Sequence, residues 1–537
     1  MRQLPSARIS HNTFNTYYLA NRNFFQPYLY PLTTIMMKTI LTIAIAILLC
    51  YQGNTQTLTT AKVQQYPVIP GDLPDPSILR VGNRYYATGT SSEWSPQYPL
   101  YTSEDLLHWK QQGFAFPKTP AWAVSSYWAP ELYYRKGTYY VYYCARRTAD
   151  GIVCIGVATS KDPLKGFTDH GVLLQWGKEA IDPFMIEDSG KLYMSFKAYG
   201  LDSRPIELLC VPLSDDGLKV TGEAFSLLRD DERKGLEGQC MVKRNDGYYL
   251  FYSYGACCGR ECSYEVGVAK ATALKGPYTK YEGNPVVTES NTWKCTGHGT
   301  VTTTKDGRYV YLYHAYNKKD NVYTGRQAML SEVTWNKETG WPNIKPVNGL
   351  KPANLYNDFS GNNIGAEWMW DAKHSQSKVK IENGRLHLSG MVAKDNESGT
   401  VLTVRAYEGN YNMTVKVLSS GDAGLSGLTV YGDIGACAGI GMQKDSIVVW
   451  EVKDGKRKIL QQVPVAKLPV YLKIETKDGY KMRFFWSAST DKWTEVKLAG
   501  EYYDGSYLPQ WDRSPRPGII VKDGEGVLDD FRLDYVQ

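Results

Sequence analysis

Four carboxylates and a histidine recur at a nearly constant interval. They are Asp75 in LPDPS, Glu131 in YWAPEL, Asp182 in AIDPF, Glu237 in GLEGQ and His298 in TGHGT, 56, 51, 55 and 61 residues apart. If each interval is one structural repeat about a common axis, the five side chains converge however far apart they lie in the chain. Burying several carboxylates together is costly unless they share protons or bind a cation. Like charges push their pKa values apart and leave a protonated acid beside an ionised base. That pairing suits glycoside hydrolysis, in which an inverting site holds acid and base about 6.5–9.5 Å apart with a water between base and sugar. Any one Asp-Pro reads equally well as a turn residue at the start of a strand. The inference rests on the repetition.

The elements that must position these residues are also repeated. A glycine followed by an aromatic-rich strand occurs as GNRYYATG, GTYYVYYC, GKLYMSFK, GYYLFYSY and GRYVYLYH, starting at Gly82, Gly137, Gly190, Gly247 and Gly307. A short β-rich run precedes each, as in PSILRV and PELYYR, with Gly, Asn or Asp between, so each unit opens with a hairpin. A further strand and polar turn follow, as in IGVATSKDPLKG. Units of about 55 residues with about four strands each predict a β-propeller, in which radial repetition protects sheet edges. Five units predict five blades with the recurring residues at the axial end of each innermost strand. A flat sandwich does not explain the regular period.

Composition agrees. Forty-one Tyr, 14 Trp and 49 Gly in 537 residues favour strands and tight turns, and 43% hydrophobic content excludes wholesale disorder. The net charge of +6 falls to +2 without residues 1–56, which hold Arg2, Arg8, Arg22 and Lys38 and no acid. A near-neutral remainder gives no electrostatic reason to expect nucleic acid. Met36-Met37-Lys38 leads into the apolar run TILTIAIAILLC, too short to span a bilayer and shaped like a secretory signal over residues 37–56, with 1–36 read as upstream sequence from an early start. The alternative for 1–36 is an Arg-rich targeting extension. The run closes on Cys50, the place of a lipoprotein cysteine, although Leu49 stands where a small residue is usual. A lipid on Cys50 would be the only membrane anchor; otherwise the signal is cut before Thr57. Either way the chain is exported, to the periplasm, the cell surface or the medium. Among the remaining cysteines, Cys257, Cys258 and Cys262 cluster without the spacing of a zinc site, so a local disulfide or buried thiols are expected.

Taken together, GDLPDPSILRVGNRYYATGTS, YWAPELYYRKGTYYVYYC, AIDPFMIEDSGKLYMSF, GLEGQCMVKRNDGYYLFYS and GHGTVTTTKDGRYVYLYHAY resemble glycoside hydrolase family 43 over residues 66–345. The resemblance implies a five-bladed propeller of inverting glycosidases acting on arabinose- and xylose-containing plant polymers. It implies Asp75 as general base, Glu237 as general acid, and Asp182 as the carboxylate that orients the acid and keeps its pKa high. His298 resembles an axial histidine that in many members faces a calcium ion or its waters. Arg326, in YTGRQAM, resembles an arginine that holds sugar hydroxyls or a carboxylate, and Trp128 an aromatic lining the sugar pocket. No cofactor is required, with calcium at most structural. At the acid, Gln239 stands where many members have proline.

From residue 355 the pattern changes to short alternating strands such as NMTVKVLSS and SIVVWEV between Gly-rich turns, which predict a β-sandwich of jelly-roll type over 355–537. It resembles the concanavalin-like domain attached to many family 43 enzymes, which packs on the propeller and lends a loop to the pocket rim. Asp358-Phe359 and Asp530-Phe531 look like two adjacent edge strands, and the two aspartates are a second candidate calcium site. The fold class is thus all-β, and the expected activity is release of terminal α-L-arabinofuranose or β-D-xylose from arabinan, arabinoxylan or xylan side chains. An endo-arabinanase and a non-catalytic sugar-binding propeller are the alternatives. Pro74 before Asp75 argues against a retaining fructan hydrolase, whose nucleophile sits in Asn-Asp-Pro.

Overall fold

The computed structural model describes residues 65–536 apart from 372, 393, 422–423 and 466–467. The leader expected at 37–56, the segment 1–36 and Cys50 lie outside the described residues. Almost all regular structure is β, joined by two single 3₁₀ turns, Pro163–Lys165 and Asn321–Tyr323.

Five four-stranded antiparallel sheets cover residues 77–116, 123–174, 180–229, 237–280 and 293–347, each with its strands in chain order from the axis outward. The innermost strands of successive blades lie side by side and the fifth returns to the first, which closes a five-bladed propeller. Residues before blade one seal the ring: Val68 N–H bonds Ala328 O at 2.9 Å and Leu73 N–H bonds Arg326 O at 2.7 Å in blade five.

The tyrosines belong to this geometry. A blade is covered on both faces by its neighbours, so consecutive residues of its second strand are buried on opposite sides, as are Tyr142 and Tyr143, both fully buried. Large flat rings fill the wedge between diverging sheets. Tyr98, Phe116 and Tyr143 pack edge to face with centroids 4.8–5.7 Å apart.

The C-terminal region is a sandwich of one nine-stranded and one six-stranded sheet. In the strand Tyr411–Ser419 alternate residues Met413, Val415 and Val417 are buried, as one wet face and one dry face require. The strand Gly526–Tyr535 lies inside its sheet, between Arg385–Val392 and Tyr411–Ser419, and the short strand Leu355–Asn357 pairs with it. The two similar ends of the domain are therefore adjacent, but the last strand is not an edge. A two-residue ladder, Trp94–Ser95 with Trp370–Asp371, joins sandwich to propeller. Beside it Arg516, 2% exposed, lies over the Trp94 ring at 4.1 Å and reaches Asp72 at 3.8 Å.

Candidate active site

The innermost strands share a local feature that the spacing of acids alone does not show. Asp75, Ala129, Asp182, Gly238 and His298 all take positive φ, and they stand 54, 53, 56 and 60 residues apart, close to the spacing of the hairpin glycines. In blades two to five the ladder breaks at this place. A bulge re-aims side chains at the top of a strand. The structurally equivalent positions are thus three functional residues, an alanine and a glycine. Glu131 sits two residues past its blade's equivalent position and Glu237 one residue before. The expectation that all five recurring residues occupy one position is corrected accordingly. Glu131 faces into the axis instead, where Thr300 of blade five donates to its Oε2 at 2.9 Å and burial raises its pKa to about 7.

Asp75 is held as an anion. Thr90 Oγ1 donates to its Oδ2 at 2.6 Å, and Arg326 Nη1 and His298 Nδ1 each stand 3.3 Å from its Oδ1. Burial alone would raise its pKa, but Arg326 and His298 hold it far below the ordinary carboxylate range. His298 is the matching cation. Burial would lower it, but the Asp182 and Asp75 carboxylates raise it to about 9. The nearby His314 is neutral: burial and Arg326 push its pKa well down, and its Nδ1 accepts the Asp75 backbone N–H at 3.0 Å. Its 3.4 Å approach to the Asp75 carboxylate is therefore not an ion pair.

Asp182 and Glu237 form the second group. Asp182 Oδ2 accepts the Gly238 N–H at 2.8 Å, and burial lifts its pKa to about 6. Gly238 is required twice, by its φ of +60° and because a Cβ there would lie 2.8 Å from His298 Cγ. Both oxygens of Glu237 are engaged: Lys197 Nζ stands 2.6 Å from Oε2, and Tyr264 OH donates to Oε1 at 3.0 Å. Burial pushes Glu237 up, but Lys197 more than offsets this and leaves its pKa lowered. The expectation that the acid's pKa is kept high does not hold in this resting arrangement. Of the two carboxylates Asp182 has the raised pKa, and Glu237 is held lowered against Lys197. Gln239 has a structural role: its amide donates to Asp182 O and to Ser195 Oγ, stapling blades three and four where proline could not.

Trp128 and Arg326 meet through a residue of the sandwich. Asp512 Oδ2 accepts from Trp128 Nε1 at 3.2 Å and from Ser92 Oγ at 3.0 Å, while its backbone O accepts from Arg326 Nη2 at 3.1 Å. One loop of the sandwich thus ties blades one, two and five across the end of the axis. The same loop carries Trp511, 63% exposed, against Gly259 of blade four. The cysteine cluster beside it is oxidised, Cys257 to Cys258 and Cys262 to Cys295, the second bond joining the blade-four loop to the start of blade five.

Calcium takes six to eight oxygens, and among the described residues no group of three or more His, Cys, Asp or Glu could hold a metal. His298 is turned to Asp75, and Asp530 Oδ1 is occupied by Tyr356 OH at 2.9 Å.

Sequence reasoning missed Thr90, Lys197, Tyr264, His314 and Asp512. Lys197 had a signal, being the lone cation in the buried interior of the strand segment LYMSFKA. Asp512 had none, since it lies 420 residues from Ser92 and in another domain.

The arrangement can activate a water at Asp75 and deliver a proton from the Asp182–Glu237 pair. Comparison with known proteins agrees with that chemistry. Residues 64–342 match glycosyl hydrolases family 43, and 356–511 match the β-xylosidase C-terminal concanavalin A-like domain. An extracellular exo-α-(1→5)-L-arabinofuranosidase of Cellvibrio japonicus is 28% identical over 51% of this chain and 86% of its own. A xylan 1,3-β-xylosidase of a Vibrio species is 26% identical over 54% and 60%. The crystal structure of the GH43 protein BlXynB from Bacillus licheniformis superposes with a TM-score of 0.77 at 22% identity over 88% of this chain and 100% of that one, a likeness of fold. The propeller and the attached sandwich agree with the two matched family models, and the chain belongs to glycosyl hydrolase family 43.

Proposed function

We propose that the chain is an exported, inverting exo-glycosidase that removes terminal α-L-arabinofuranose or β-D-xylose from plant cell-wall polysaccharide. Asp75 takes a proton from the water that attacks the anomeric carbon. Glu237 gives a proton to the glycosidic oxygen as its bond to that carbon breaks. Asp182 orients the Glu237 segment through the Gly238 N–H, and its neighbouring carboxylate acts to raise the acid's pKa. Trp128 lines the sugar pocket, and Arg326 orients the base and the sugar hydroxyls.

The observation that carries the reading is the unequal titration of neighbouring carboxylates: Asp75 far below its ordinary range, Asp182 at about 6. An ionised base beside a group that acts on the acid needs that division. The pentose class is supported by relatives named for arabinofuranose, arabinan and xylan, two of them also named extracellular. Exo attack is supported by the Asp512 loop across the funnel.

The test is product release from para-nitrophenyl α-L-arabinofuranoside and β-D-xyloside and from linear arabinan, with wild type and Glu237→Gln. Monosaccharide alone from the polymer is expected, with inversion at the anomeric carbon by NMR. Glu237→Gln should lose activity on the polymer and keep part of it on the activated aryl glycoside, which needs little protonation. Equal loss on both removes Glu237 from the acid role, and internal cleavage to oligosaccharides replaces the exo reading with an endo-arabinanase.

A further inference from the structure

Between propeller and sandwich, next to the loop that closes the funnel, lies a groove of about 570 Å³ half of whose lining residues are tyrosines, with Lys481 and Asp504 among the rest. Arg260 and Tyr323 come from blades four and five; Tyr480, Tyr502, Tyr503 and Ser506 come from the sandwich. Tyr323 and Tyr480 stack face to face across the domain boundary, 4.9 Å between centroids and 25° apart. Arg260 lies over the Tyr323 ring at 5.2 Å and donates to Tyr323 OH at 2.9 Å and Ser506 O at 2.6 Å. Tyr480, Tyr502 and Tyr503 are only partly buried. This size falls in the roughly 300–1,000 Å³ range of small-molecule clefts.

A short run of neighbouring residues links the groove to the catalytic funnel. Arg260 follows Gly259, which contacts the exposed Trp511 and whose N–H reaches Tyr316 OH at 3.4 Å. Tyr316 is the cross-strand partner of Arg326, the arginine on Asp75. On the sandwich side, Ser506 and Asp512 share one loop. The exposed Trp511 thus stands between Asp512, which bonds Trp128 and Arg326, and the groove. The partly buried Tyr502 and Tyr503 rings and the ring edges of the Tyr323–Tyr480 stack offer apolar surface, and Arg260, Lys481, Asp504 and the tyrosine hydroxyls offer polar partners, which together suit a polyhydroxylated chain.

We propose that this groove is a distal binding site for the internal pentose units of the polysaccharide chain, outside the catalytic pocket. It rests on the glycosidase reading and extends it: the enzyme prefers long chains to short ones, and the preference is built jointly by the two domains.

The test is Tyr480→Ala and Tyr502→Ala, singly and together. For each, kcat/KM is measured on para-nitrophenyl pentosides and on arabino- and xylo-oligosaccharides of increasing length. The aryl glycosides should be unchanged and the melting temperature lowered only by the loss of the Tyr323–Tyr480 stack, while the longest oligosaccharide loses about ten-fold in the double variant through KM. Equal loss on short and long substrates overturns the proposal. Binding is read separately by retardation of Glu237→Gln in gels containing linear arabinan or arabinoxylan, with and without the tyrosine changes. Retardation that depends on the tyrosines supports the groove even if wild type hydrolyses nothing, in which case the glycosidase reading alone falls. No retardation by either polymer, or retardation unaffected by the tyrosine changes, overturns the groove.

Discussion

Lys197→Met removes the charge against Glu237 while keeping an unbranched side chain of similar length. Lys197 and Glu179 are each about 10% exposed and Glu237 about 20%, so solvent replaces little of the lost interaction. At 2.6 Å and an effective dielectric of about 20, Coulomb's law sets an upper bound of ~6 kcal/mol on the pair. Carboxylates beside one cation are usually lowered by about 1–3 pKa units. The Asp182–Glu237 pair should then deprotonate later, and the alkaline limb of kcat/KM on an unactivated oligosaccharide should rise by about 1–3 pH units. Stability gives a second readout. In wild type Glu237 is held below its unfolded pKa of about 4.3, so it contributes stability above that pH, lost as pH falls through the folded value. In the variant the folded pKa lies above 4.3, and the same group costs stability at neutral pH. The melting deficit of Lys197→Met should be large at pH 7 and shrink toward pH 4. A uniform fall in kcat/KM with an unmoved alkaline limb, and a deficit independent of pH, would refute the assignment of Lys197 as the group that sets the acid.

Asp75→Asn should reduce kcat by at least ~10³ on aryl glycosides and natural substrates alike, since base catalysis serves every leaving group; retained activity in steady-state assays would exclude it as the base. Gly238→Ala forces a Cβ to 2.8 Å from His298 Cγ in a left-handed backbone and should cost about 1–3 kcal/mol in urea unfolding, with a fall in kcat as His298 is pushed from Asp75. His298, at about 9 folded against about 6.5 unfolded, contributes about 3 kcal/mol that is fully present below pH 6.5 and lost as pH rises through 9. The stability difference between wild type and His298→Asn should therefore narrow across that window in denaturant titrations at stepped pH.

The five blades, the sandwich and the axial residues Asp75, Asp182 and His298 are legible in the sequence, because a repeated supersecondary unit writes its period into the chain. The register within that period is not. Counting acids places Glu131 and Glu237 on one level with Asp75, whereas the left-handed residue of each bulge is the true equivalent, and at Ala129 and Gly238 it carries no chemistry. A bulge shifts a side chain by one or two residues without changing the hydrophobic pattern around it. The charge states were decided only in the tertiary structure. Lys197 comes from the second strand of blade three, Tyr264 from the segment leading into the third strand of blade four, and Arg326 from the third strand of blade five, so which cation lies against which carboxylate depends on how neighbouring sheets pack. Asp512 belongs to another domain, and its place between Trp128 and Arg326 follows from the docking of two cores that fold on separate hydrophobic patterns. Local periodicity determined what the elements are. Contacts between elements distant in the chain determined which cation lies against which carboxylate.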